Sequence, residues 1–88
     1  MDIVKSACAG TMESSDTYVE IEPSDKLDIR LESVVKQQFG DVILQVIGEV
    51  LKENNVQKAN VRVIDRGALE CVIRARVETA IARGRGEA

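Results

Sequence analysis

The sequence predicts a small α+β domain, a two-layer sandwich with two helices on one face of a mostly antiparallel sheet, in ββ(β)αβα order. Three observations carry this. Polar and apolar residues alternate in three short segments, which is the periodicity of a half-buried strand. Two longer segments repeat their apolar residues every three to four positions, which is the periodicity of an amphipathic helix. The chain has 88 residues, the size of one small domain, expected over 1–88.

The elements follow in order. Residues 3–9 are small and apolar, interrupted by Lys5 and Ser6, and predict a first strand. In residues 17–22, Val19 and Ile21 face one side while Tyr18, Glu20 and Glu22 face the other. Pro23-Ser24-Asp25 supplies a turn, because Pro fixes its own φ and Asp bonds nearby backbone N–H groups. In residues 27–32, Leu27, Ile29 and Leu31 are assigned to the core, and the three strands are expected to form a meander.

Residues 34–39 fit either a continued strand or a helix beginning near Ser33. From about Asp41 the pattern is helical, with Ile43, Ile47, Val50 and Leu51 on one stripe, Asp41 capping or lying in the first turn, and Asn54-Asn55 ending the helix. Residues 59–64 read as a fourth strand with Val61 and Val63 inward. Asp65-Arg66-Gly67 is a tight turn in which Gly takes φ > 0. The last helix is expected from about Ala68 to Arg83, burying Leu69, Val72, Ile73, Val77, Ala80 and Ile81, with Gly84 and Gly86 in a frayed tail.

Composition narrows the function. The chain has no His, so neither a Ser-His-Asp nor a Cys-His arrangement is possible. Tyr18 and Phe39 are the only aromatics and the net charge is −3, which argues against nucleic-acid binding. No apolar run approaches the ~18 residues of a membrane span, and residues 1–20 show no signal peptide. Cys8 and Cys71 fall short of a zinc set and fit a reducing cytoplasm, the expected location. Glu20/Glu22 and Asp28/Glu32 read as the wet face of the sheet. Arg74, Arg76 and Arg83 read as helix-surface charge, with phosphate docking as the alternative.

One stretch stands apart. Gly10-Thr11-Met12-Glu13-Ser14-Ser15-Asp16 places two adjacent hydroxyls between two strands. A serine hydroxyl is a weak nucleophile until a base takes its proton, and no such base is in view. The stretch reads either as an ordinary surface turn or as a site that a second protein modifies. Residues 1–32 carry a net charge of −5 and residues 33–88 a net of +2, so the serines lie in the acidic part. Glu13 and Asp16 are read either as ordinary turn residues or as helping a modifying enzyme dock, or helping hold a divalent metal with phosphates, rather than holding the fold.

Three blocks carry a resemblance. Ala9-Gly10-Thr11-Met12-Glu13-Ser14-Ser15-Asp16, Gln38-Phe39-Gly40-Asp41 and the run from Asp65 to Glu78 resemble, in order and spacing, the acyl carrier protein family of bacterial citrate lyase, its gamma subunit. The resemblance implies a non-catalytic carrier. It implies covalent attachment of 2′-(5″-phosphoribosyl)-3′-dephospho-CoA to Ser14 through a phosphodiester, with position 15 held by Ser or Gly and Leu common where Met12 stands. It implies partners as well: a transferase that adds the group, a ligase that acetylates it, an alpha subunit that exchanges acetyl for citrate, and a beta subunit that cleaves the citryl thioester to oxaloacetate. The alternative from a different class is a small non-catalytic interaction module that binds by a sheet edge or its acidic face.

Overall fold

The structure is a computed structural model that describes residues 2–87. The elements are β1 (Ala7–Gly10), β2 (Thr17–Glu22), β3 (Leu27–Ser33), α1 (Lys36–Glu53), β4 (Ala59–Asp65) and α2 (Glu70–Gly84). The expected α+β sandwich is present, with helices packed on one face of a four-stranded sheet.

The sheet is not a meander. Its order is β1-β2-β4-β3, so β4 lies between β2 and β3. β1/β2 and β2/β4 are antiparallel, whereas β3 and β4 are parallel and α1 makes the crossover between them. Parallel neighbours need such a connection, and the 18-residue α1 supplies it. Alternation alone reports which face of a strand is dry and is silent about which strand lies beside it.

The dry face is built largely as the alternation requires. Val19 and Ile21 of β2, Val61 and Val63 of β4, and Leu31 of β3 are buried against Ile43, Ile47, Val50 and Leu51 of α1 and Ile73, Val77, Ala80 and Ile81 of α2. Three expected core residues are not there, Val72 of α2 being only half-buried and outside the core cluster. Leu27 opens the edge strand β3 and is exposed. Leu69 is 72% exposed because it is the N-cap of α2, in extended conformation, and not part of the helix face.

Several boundaries move. β1 is shorter than expected: residues 3–6 lie outside the strand, where Val4 and Lys5 donate their N–H groups to the Gly84 carbonyl and Ile3 is buried. α1 starts at Lys36, capped by Val35, and the backbone N–H of Val35 donates to Ser33 Oγ at 3.1 Å. Asp41 therefore lies beyond the first turn and caps nothing.

Both helices close in the same way. At the end of α1, the N–H of Asn55 donates to Lys52 O and that of Val56 to Leu51 O, with Asn55 at φ 58°. At the end of α2, Gly86 donates to Arg83 O and Glu87 to Ala82 O. These paired bonds form a Schellman motif at each end and satisfy carbonyls that a frayed end leaves to water. The expected frayed tail is therefore an ordered cap, with Gly84 packed against Ile3 and Ile21.

Candidate functional site

The serines sit where β1 turns into β2. Asp16 N donates to Glu13 O at 3.1 Å, closing a four-residue turn with Ser14 and Ser15 at its centre. Ser15 has φ 66° and Ser14 has negative φ, the pattern of a type II turn. The turn runs directly into a bulge. Ser15 N donates to Arg66 O at 2.8 Å, and Arg66 N donates to Asp16 O at 2.9 Å, so Ser15 and Asp16 together oppose one residue. This is the G1 arrangement, whose first position is in the left-handed region and favours Gly. Ser14 is thus the outward corner of a turn pinned to the strand extension after β4.

Asp16 makes this mount rigid. Its carboxylate accepts from Thr11 Oγ1 at 2.7 Å, from Thr17 N at 2.7 Å and from Arg76 Nε at 3.1 Å. These donors, Thr11 first, then the Thr17 amide and the Arg76 guanidinium, hold the carboxyl down at about 2. The side chain is 17% exposed. Asp16 is therefore a structural acceptor of the turn, which favours the turn-residue reading and corrects the expectation that it does not hold the fold. Gly10 allows the approach: at φ +88°, a Cβ there would fall 1.8 Å from Thr17 O.

A second carboxylate organises the other side. Asp65 ends β4 and is 1% exposed, beside Thr17 at 0%. Asp65 accepts from Thr17 Oγ1 at 2.8 Å and Ser33 Oγ at 2.9 Å, and from the N–H groups of Gly67 at 3.3 Å and Ala68 at 3.0 Å. One side chain so fixes the ends of β2, β3 and β4 and the turn into α2. Gly67 has the expected positive φ, +88°.

The remaining candidates resolve as surface pairs. Arg74 bonds Glu49 and Glu70 and lies near Glu53, and Arg83 donates to the Cys8 carbonyl. Arg62 pairs with Glu20, and Asn60 donates to Glu22. Cys8 and Cys71 are both free and exposed. The sequence reading missed the parts played by Thr11, Arg76 and Asp65. For Arg76 no local signal exists, since its partner lies 60 positions away.

Ser14 and Ser15 are both exposed, and neither hydroxyl has a hydrogen-bond partner among the described residues. Asp16, beside them, is committed to three donors, and the mount presents two exposed hydroxyls at a fixed corner, a geometry suited to a carrier. Comparison with known proteins agrees. The family profile described as malonate decarboxylase delta subunit (MdcD) matches residues 4–84. The citrate lyase acyl carrier protein of Escherichia fergusonii is 52% identical over 85 residues, covering 94% of this chain and 88% of that one. Citrate lyase acyl carrier protein 2 of Salmonella typhimurium is 54% identical over the same span and coverage. The Haemophilus ducreyi citrate lyase acyl carrier protein is 46% identical and covers 100% of this chain and 93% of its own. The chain belongs to the citrate lyase acyl carrier protein family, a family of carrier subunits. In fold it also matches a chain of a Pseudomonas malonate decarboxylase hetero-tetramer solved in complex with malonate, at TM-score 0.79 and 21% identity over 90% of this chain and 82% of that one.

Proposed function

We propose that this chain is the acyl carrier of a citrate lyase and that Ser14 is its point of covalent attachment. The observation that carries the reading is the seryl turn. Ser14 occupies the outward corner of a type II turn whose next two residues are bonded to Arg66. Its Oγ is exposed and unpartnered among the described residues, so it is open to a phosphodiester bond. Ser15 is the weaker acceptor on the resemblance, which allows Ser or Gly at position 15.

The exposed corner of the turn fits a phosphoribosyl-dephospho-CoA arm. A nucleotide of that size needs open space at its anchor, and the corner of a surface turn offers it. When bound, the arm supplies a terminal thiol on which acetyl and citryl groups ride as thioesters. The chain's own residues hold and orient the anchor: Asp16, Thr11 and Arg76 fix the turn, and Asp65 fixes the strand ends behind it. Tethering raises the local concentration of the acyl group at each partner site, to about millimolar for short flexible links. The partners on this reading are the alpha and beta subunits, with a transferase and a ligase that prepare the carrier. The setting is the cytoplasm.

Intact mass and peptide mapping of the chain purified from its native host test the reading. A nucleotide-sized adduct on Ser14 is expected, absent in Ser14→Ala and present in Ser15→Ala. Ser14→Ala should keep the fold, since exposed hydroxyls usually contribute within about 0.5 kcal/mol. An unmodified chain would leave the interaction module as the better reading.

A further inference from the structure

We propose that the Arg66 guanidinium binds the phosphodiester on Ser14 and so fixes the first segment of the arm against the body of the carrier. The inference rests on the assignment of Ser14 above.

Four observations lead to it. Arg66 is the residue opposite the bulge: its carbonyl accepts from Ser15 N and its N–H donates to Asp16 O. Its backbone is therefore locked beside the seryl turn. Paired strand residues have Cα atoms about 5 Å apart, and one further residue along the chain adds about 3.8 Å. A long arginine side chain covers such a span towards a group that itself projects from Ser14.

Arg66 is also exposed and its guanidinium has no partner among the described residues. Every other arginine is engaged: Arg30 with Asp28, Arg62 with Glu20, Arg74 with three glutamates, Arg76 with Asp16, Arg83 with Cys8 O and Arg85 with Asn54 O. The nearest acid on the turn does not claim it, because Asp16 is neutralised by Arg76. Glu13 is an exposed acidic residue beside the serine, so a diester there adds like charge, and Arg66 offsets it. Guanidinium is the side chain suited to this task, since its planar fork bonds two phosphate oxygens at once.

The test is nuclear magnetic resonance on the chain loaded by its modifying transferase, after peptide mapping has located the adduct. In the loaded wild type, exchange of the Arg66 Nε proton with water slows about fivefold relative to the unloaded chain, a ratio worth about 1 kcal/mol, the upper end for an exposed ion pair. Arg66→Gln moves the phosphorus resonance of the seryl diester. In the wild type, high salt moves that resonance towards the variant's value, because exposed pairs are screened. Arg66→Lys keeps the charge without the fork and falls between. The amide spectra of both unloaded variants should overlay the wild type away from residue 66, since the side chain holds nothing else. An adduct on Ser14 whose phosphorus resonance is the same in wild type and Arg66→Gln overturns the role of Arg66 and leaves the carrier reading standing. An adduct mapped to another residue, or none, overturns both.

Discussion

Ser15 pays a conformational cost at φ 66°, a region where a side chain crowds the backbone by roughly 1–2 kcal/mol. Ser15→Gly removes that strain, and part of the gain returns as chain entropy in the unfolded state. A net stabilisation of about 0.5–1 kcal/mol is expected, read as a higher thermal midpoint with loading of Ser14 unchanged. A lower midpoint would show that the Ser15 side chain contributes to the turn. Two of the glycines at positive φ separate backbone strain from collision. Gly67→Ala meets nothing within 4 Å and should lose only about 1 kcal/mol. Gly10→Ala drives a Cβ into Thr17 O at 1.8 Å and should lose several times as much in a denaturant titration. Asp16 sets a pH dependence. Its folded-state value of about 2 lies below its ordinary 3.8, so its contribution is full above about 4 and disappears as pH falls towards 2. Asp16→Asn should therefore be less stable than wild type at pH 7, with the difference shrinking steadily between pH 4 and pH 2. A pH-independent difference would count against the network. The left-handed Gly67 was legible in Asp65-Arg66-Gly67, because that turn chemistry is local. The Arg76 contact to Asp16 was not, since that guanidinium comes from another element, although Thr11 and Thr17, the other donors to Asp16, are local.

Among the elements, the turn from β4 into α2 is fixed by one side chain. Asp65→Ala strips acceptors from two hydroxyls and two backbone amides in a buried setting. Unpaired buried donors are costly, and a loss of about 3 kcal/mol or more is expected, seen as a large drop in denaturation midpoint with an unchanged slope. A loss below about 1 kcal/mol would mean that water replaces the carboxylate. Helix bodies were readable from their stripes: Ile43, Ile47, Val50 and Leu51 are all buried. Helix starts were readable only in part, since a helix beginning near Ser33 was one of two readings of residues 34–39. α1 begins before its apolar stripe is established, and Leu69 carries the right periodicity but precedes the first helical residue. Periodicity describes the middle of an element, while its ends are decided by caps, here Val35 and Leu69 without side-chain cap bonds.

At the scale of the whole molecule, strand order was the part least available to sequence. The insertion of β4 between β2 and β3 joins residues some thirty to fifty positions apart, such as Leu31 with Val63 and Thr17 with Asp65. No local pattern encodes such a pairing. It predicts a gradient of protection: amides of the central β4 should exchange with deuterium at the slowest, global-unfolding rate, and those of the edge strand β1 faster. Equal protection of Cys8 and Val63 would contradict this order. The pinned seryl turn has a geometric consequence for anything that works with this chain. On the proposal that Ser14 is the anchor, a turn that does not move relative to the body makes residue 14 the fixed centre of a sphere, and the reactive end of a tether can visit only points within that radius. Two reaction centres served in turn can then stand no farther apart than the sphere's diameter. Beyond that, the whole carrier has to change its seat between them.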